Sequence, residues 1–203
     1  MSKSLLIVFV KNIILGKVKT RLAKTVGDNM AFEVYKELVD ITEDCSKKVN
    51  ADKHIYFSDV VINSKWVDEL KFVQQGENLG ERMKNAFNFG FEKGYEKIIL
   101  IGSDLPDITP ETIEEGFLGL NHKEIVFGPA EDGGYYLVGM NKPNNFIFEN
   151  KPWSKSCLLE TTLKELKEKE VDTVLLKTLN DIDTFEDLKT SKIYNNEKFH
   201  FSN

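Results

Sequence analysis

The chain has 203 residues, 41% hydrophobic and 30% charged, with 27 Lys and Arg against 33 Asp and Glu. That length suits one well-cored domain, expected over residues 1–203 with a polar, partly disordered tail over 191–203. A net charge of −6 excludes a general nucleic-acid binder, and the longest apolar run, Leu5–Val10, is far too short to cross a bilayer.

Only Lys3 lies before that run in the way of charge, and no small-residue cleavage site follows it, so no signal peptide is expected and the expected location is cytoplasmic. Cys45 and Cys157 have no CxxC spacing and read as reduced, packed residues of two amphipathic helices. His54, His122 and His200 are isolated from one another, which gives no zinc signature.

In chain order, Leu5–Val10 is apolar on both faces, as a central strand of a covered sheet would be. A helix capped by Asp28 follows, with Phe32, Tyr35, Leu38, Val39, Thr42, Cys45 and Val49 at helical spacing. "HIYFS" (54–58) and "KFVQQ" (71–75) read as short strands. Leu79, Met83, Ala86, Phe87 and Gly90 mark the next helix face. Ile98–Ile101 is a second buried strand, and Thr109-Pro110-Glu111 carries a cap, a first-turn proline and an acid suited to a helix start. "EIVFGPA" and "GYYLVGM" are two strands joined through Glu131-Asp132-Gly133. A helix over 154–170, the strand "DTVLLK" and a short helix over 184–189 complete a layered α/β pattern.

Four segments could carry chemistry. "KNIILGKVKTRLAK" (11–24) holds Lys11, Lys17, Lys19, Arg21 and Lys24 with no acid, an inversion of sign in an acidic chain. A loop leaving a buried strand lies at the carboxyl edge of the sheet, where open α/β sheets bind ligands. Gly16 allows close backbone approach and the cations suit phosphate, although neither a Walker A nor a GxGxxG pattern is present. Asp104 in "SDLPD" ends a buried strand at the same edge. It is either a turn residue or a ligand for a hard cation such as Mg²⁺ or Mn²⁺, whereas Asp107 reads as part of the helix start. In "GPAEDGGYYLVG" (128–139), Gly133-Gly134 permits positive φ, equally the mark of a hairpin, and Glu131 and Asp132 are free to orient or deprotonate an acceptor. In "NDIDTFEDL" (180–188), Thr184 and Asp187 form a capping box, which leaves Asp181 and Asp183 without a structural task.

"GKVKTRLA", "QGENLGERMKNAF", "IGSDLPDIT", "GPAEDGGYYLVG" with a later "PWS", and "DIDTFEDL" together resemble a family of small GT-A-like glycosyltransferases, some linked to arsenosugar biosynthesis. That family is similar to phospholactate guanylyltransferases and molybdenum-cofactor nucleotidyltransferases. The resemblance implies a three-layer α/β/α, Rossmann-like nucleotide-diphospho-sugar-transferase fold with a mostly parallel, mixed sheet. It also implies a nucleotide at the carboxyl ends of the first strands with Mg²⁺ or Mn²⁺. By position, Lys19 and Arg21 would hold phosphates, beside Gly16 and Lys17 of the basic loop read above, while Asp104 would be the first metal ligand and Asp183 the second. Gly80 and Arg82 would line the nucleotide or acceptor pocket, and Gly133 and Gly134 would let a ligand approach the backbone. Where the family commonly carries "APVPG" before its basic run, this chain has "NIILG" (12–16), which predicts a less rigid and more apolar loop.

The expected activity is metal-dependent transfer from an activated nucleotide to a small-molecule acceptor, with no nucleic-acid or membrane partner. Glycosyl transfer from a nucleotide-diphospho-sugar is the leading form, with Lys19 and Asp104 at the diphosphate and Asp132 as the acceptor-side base. Nucleotidyl transfer from a triphosphate to a phosphorylated acceptor is the alternative, and a non-catalytic nucleotide binder is the answer of another class.

Overall fold

The computed structural model describes residues 3–196 and 199. Seven strands form one sheet: β1 (Ser4–Val10), β2 (Asp52–Phe57), β3 (Leu70–Val73), β4 (Lys97–Ile101), β5 (Ile125–Pro129), β6 (Tyr135–Met140) and β7 (Thr173–Leu175). Their order is β3-β2-β1-β4-β6-β5-β7, and β6 alone runs antiparallel to its neighbours β4 and β5. The helices are α1 (Thr20–Val26), α2 (Asp28–Lys47), α3 (Leu79–Glu92), α4 (Pro110–Gly119), α5 (Leu158–Glu168) and α6 (Phe185–Thr190). Among the described residues no helix is long and apolar enough to cross a membrane.

Strand periodicity splits the core in two. Leu6, Val8 and Val10 of β1 point into a cluster with Leu22 of α1, Val34 and Leu38 of α2, Ile113 of α4 and Leu188 of α6. Leu5, Ile7 and Phe9 point the other way, to Met83 and Phe87 of α3 and Leu159 and Leu166 of α5. The sheet is therefore covered by helices on both faces, as the apolar runs of β1 and β4 require. Each such side chain contributes about 1.5–3 kcal/mol through removal from water.

The chain leaves β1 for β2 and β3 on one side, then returns to place β4 on the other side of β1. The carboxyl ends of β1 and β4 thus flank a topological switch point, the crevice where α/β sheets hold ligands. Because β1 and β4 are paired in parallel, with Val8 opposite Ile101, the basic loop and Asp104 emerge side by side.

Several local expectations are corrected. The run 11–24 is not all loop, since residues from Thr20 onward belong to α1. Asp28 does not cap α2; Gly27 is the cap, and Asp28 supplies a first-turn acid to the helix dipole. Thr109 does cap α4, accepting from Thr112 N–H at 3.2 Å, but Asp107 takes no part and instead pairs with Lys192 at 3.4 Å. The helix expected from 154 begins at Leu158, so Cys157 lies at its entrance and is exposed, while Cys45 is buried as expected. Within the tail, Ile193 and Phe199 are buried in the first core cluster rather than solvated. Residues 197, 198 and 200–203, with His200, lie outside the described residues.

Candidate active site

The switch point opens into a cavity of about 670 Å³, a volume suited to a drug-sized or nucleotide-sized ligand. One wall is built by the basic segment. Lys19 is the N-cap of α1 and sits in the left-handed region at φ 46°. Such backbone costs a non-glycine residue of order 1 kcal/mol and persists where surrounding structure enforces it. The result is a lysine whose side chain is only 7% exposed, its ammonium 3.1 Å from Asp104 Oδ2. Two residues on, Arg21 donates from Nη1 to Asp183 Oδ2 at 2.6 Å, an exposed pair of little energetic weight.

A hydroxyl relay fixes the floor between the two strand ends. Tyr35 of α2 accepts from Lys11 N–H at 2.9 Å, lies 3.2 Å from Lys11 O and is 2.9 Å from Ser103 Oγ. Burial, with the nearby Asp104 charge in support, pushes the Tyr35 phenol well above its ordinary pKa, so it stays protonated and bonded. A second clamp joins the loops after β1 and β2. Asn12 is 3% exposed; its Oδ1 accepts from Asp59 N–H at 2.8 Å and Val60 N–H at 3.2 Å, and its Nδ2 donates to Val60 O at 2.7 Å. Loss of the family's prolines therefore does not leave this loop loose: Asn12 and Tyr35 hold it from below.

The 180s segment is folded against Asp104 by a backbone bond, Ile182 N–H to Asp104 O at 3.2 Å. Ile182 is buried, and the acids on either side of it diverge in environment. Asp183 meets Arg21. Asp181 is raised to a pKa of about 6, first by burial and then by the Asp104 and Asp132 charges, with Lys19 opposing. Both line the cavity with Asp104 and Asp132. Asp132 is itself oriented by Gly134, whose N–H donates to Oδ1 at 2.8 Å.

Of the predicted residues, Lys19, Arg21, Arg82, Asp104, Asp132, Gly134 and Asp183 line one cavity. Gly16, Lys17, Gly80 and Gly133 do not. Lys17 donates its backbone N–H to Ile14 O in a turn, at which Gly16 provides φ 75°. Gly80 is a packing residue: a Cβ there would lie 2.4 Å from Phe148 O and 2.7 Å from Trp153 Cζ2. Gly133, at φ 87°, presses on the backbone of Ser156, where a Cβ would meet the carbonyl oxygen at 1.9 Å. Cavity residues assigned no role from the sequence include Ser103, Tyr35, Ser58, Trp153 and Lys155, while Asp181 was singled out without a role. Asp181 carried a signal, since alternation about the apolar Ile182 sets both flanking acids apart from the core.

Residues 38–155, more than half of the chain, match the family described as "Uncharacterized protein conserved in bacteria (DUF2064)". The chain belongs to DUF2064. This DUF2064 chain is also 27% identical over 196 residues to 2-phospho-L-lactate guanylyltransferase of Methanocaldococcus vulcanius, covering 92% of the chain and 83% of that relative. Its fold matches a protein of Desulfovibrio desulfuricans G20, provisionally named a nucleotide-diphospho-sugar transferase, at TM-score 0.88 and 32% identity, over 97% of this chain and 92% of that one. The inositol-1-phosphate CTP transferase of T. maritima shares the fold at TM-score 0.55 and 16% identity, over 96% and 94% of the two chains. The resemblance read from the five motifs, and the mixed, mostly parallel sheet it implied, are borne out. The relatives are named as transferases of nucleotides or nucleotide sugars.

Proposed function

We propose that this DUF2064 chain is a divalent-metal-dependent transferase that takes a nucleotide-diphospho-sugar as donor and a small molecule as acceptor. The observation that carries it is the contact of Lys19 and Asp104 at the mouth of the switch-point crevice, a sequestered ammonium and a carboxylate 3.1 Å apart. Phosphate needs the first, and a metal ion bound to phosphate needs the second.

The donor set suits Mg²⁺ or Mn²⁺. Asp104, Asp181 and Asp183 offer hard oxygens around one cavity, and Asp181, its pKa raised first by burial and then by the Asp104 and Asp132 charges, has neighbouring acids whose repulsion a dication would relieve. Among the described residues no three acidic, His or Cys side chains form a ready-made cage. That fits an ion which retains water and completes its shell with substrate phosphates. When bound, the ion supplies charge neutralisation at the departing diphosphate.

The chain's own groups account for the rest. Lys19 and Arg21 would exchange their carboxylate partners for diphosphate oxygens as negative charge accumulates there. Asp132, one oxygen engaged by Gly134 N–H and the other free, would take the proton from an acceptor hydroxyl as that oxygen attacks the sugar's anomeric carbon. A second reading, nucleotidyl transfer to an acceptor phosphate, is favoured by the name of the M. vulcanius relative and uses the same cations and acids.

The deciding assay incubates the protein with Mg²⁺ or Mn²⁺ and panels of nucleotide sugars and nucleoside triphosphates, following thermal shift and then products. Release of nucleoside diphosphate from a nucleotide sugar supports the first reading; pyrophosphate from a triphosphate supports the second. Donor binding that ignores metal and is unchanged in Asp104→Ala refutes the metal assignment.

A further inference from the structure

The cavity has two walls that belong to opposite faces of the sheet. Lys19 and Arg21 stand beside Leu22 of the first core cluster, whereas Arg82 stands beside Met83 of the second, on which Trp153 also packs. The second wall carries its own cations. Arg82 spends only Nε, donating to Gly76 O at 3.1 Å, and neither it nor Lys155 has an ion-pair partner among the described residues. This is unusual company in an acidic chain, where most cavity-lining charge on the other wall is already paired.

The same cavity lining carries apolar surface that water does not favour. Leu79 is 49% exposed on this wall, and Trp153 is only partly covered. The segment is held in place rather than loosely draped. Trp153 rests on Gly80, where no side chain fits, Ser154 adopts φ 63°, and Leu159 N–H donates to Gly133 O at 3.0 Å. That last bond ties the wall to the loop bearing Asp132.

We infer that this wall is the acceptor subsite, and that the acceptor is an anionic small molecule whose phosphate or carboxylate meets Arg82 and Lys155 while an apolar or ring portion lies on Trp153 and Leu79. The inference rests on the transferase reading for the word acceptor, but the binding chemistry stands without turnover. Two cations besides Lys19 and Arg21, neither with an ion-pair partner among the described residues, give a second anion its own place. A partly covered indole in the same lining favours a planar or apolar body over a fully hydrated one.

The test uses Trp153 fluorescence, with Trp153→Phe as the signal control, and titrates phenyl phosphate, benzoate and the neutral benzyl alcohol. Expected is at least tenfold tighter binding of phenyl phosphate or benzoate than of benzyl alcohol. The double variant Arg82→Gln/Lys155→Gln is expected to weaken the anions tenfold or more, leaving benzyl alcohol and nucleoside diphosphate binding unchanged. If the double variant melts early, Arg82→Lys and Lys155→Gln are titrated singly. Equal affinity for the neutral probe overturns the inference, as does retention of anion binding by the variants. Loss of nucleoside diphosphate binding to the extent seen in Lys19→Gln would assign the wall to the donor and overturn it too. Selective anion binding with no transfer from any donor would sink the transferase reading and leave the anion subsite standing.

Discussion

Asn12→Ala isolates the clamp that joins the loops after β1 and β2. The substitution removes three contacts made by Oδ1, from Ser58 Oγ at 3.2 Å, Asp59 N–H at 2.8 Å and Val60 N–H at 3.2 Å, and the Nδ2 donation to Val60 O at 2.7 Å. At about 1 kcal/mol per net hydrogen bond the ceiling is about 4 kcal/mol. Asp59 and Val60 lie at the surface, so water can re-bond the freed backbone groups, and the expected loss is about 2 kcal/mol. For a chain of this size that lowers Tm by roughly 4–8 °C. Asn12→Asp keeps the acceptor but sets a carboxylate oxygen against Val60 O, and it should lose about 1 kcal/mol. Urea unfolding with an unchanged m-value is the assay. Because Lys11 and Ser58 line the cavity, donor affinity should fall with stability. A loss below about 0.5 kcal/mol would refute the clamp and leave the loop's rigidity to packing alone.

Asp104→Asn should cut metal-dependent turnover by about 10²-fold or more, with a Tm change of under 3 °C, because its partner Lys19 can reach other acids; kinetics across a Mn²⁺ titration measures it. Asp181 is raised to a pKa of about 6 by burial and then by Asp104, so it destabilises the fold as pH climbs from about 4 through 6. Asp181→Asn should accordingly raise Tm at pH 7 by an amount equivalent to roughly 1 kcal/mol after allowance for solvent screening, a gain that vanishes below pH 4; melting curves across that range decide. Gly133→Ala forces a Cβ to within 1.9 Å of Ser156 O at φ 87°, and about 2 kcal/mol or more should be lost, read by urea unfolding, together with the register between the 130s loop and α5.

The parts of the molecule that were legible in the sequence are those in which pattern and environment coincide. The apolar run of β1 announced a strand covered on both faces, whereas its pairing with β4, on which the meeting of the basic loop and Asp104 depends, came only from the structure. Thr184 and Asp187 announced a capping box by spacing alone, and the reciprocal bonds are present. What was not legible depends on contacts between residues far apart in the chain. Lys19 reaches Asp104 across 85 positions, and nothing in "KVKTR" distinguishes Lys19, buried by a left-handed turn, from the solvated Lys17 two residues earlier. Gly133 looked like a turn glycine, yet its close neighbour is the backbone of Ser156, just before α5.

Asp181 and Asp183 show the limit most sharply, because alternation about Ile182 treats them as equivalent. Their difference comes from what each meets. Asp183 faces the exposed Arg21, and its backbone N–H is held by Asp187 of the capping box, so it already has a cation and a fixed place. Asp181 is given no cation at contact distance among the described residues and shares its surroundings with Asp104 and Asp132. A dication entering this cavity therefore meets Asp181 without displacing a cation and relieves its repulsion with Asp104 and Asp132, while at Asp183 it competes with Arg21, an exposed partner whose loss costs little. On that reasoning Asp181→Ala should weaken Mn²⁺ affinity more than Asp183→Ala does. Arg21→Ala, by freeing Asp183, should narrow the gap between them, and equal losses in the two alanine variants would show that the arginine yields without cost.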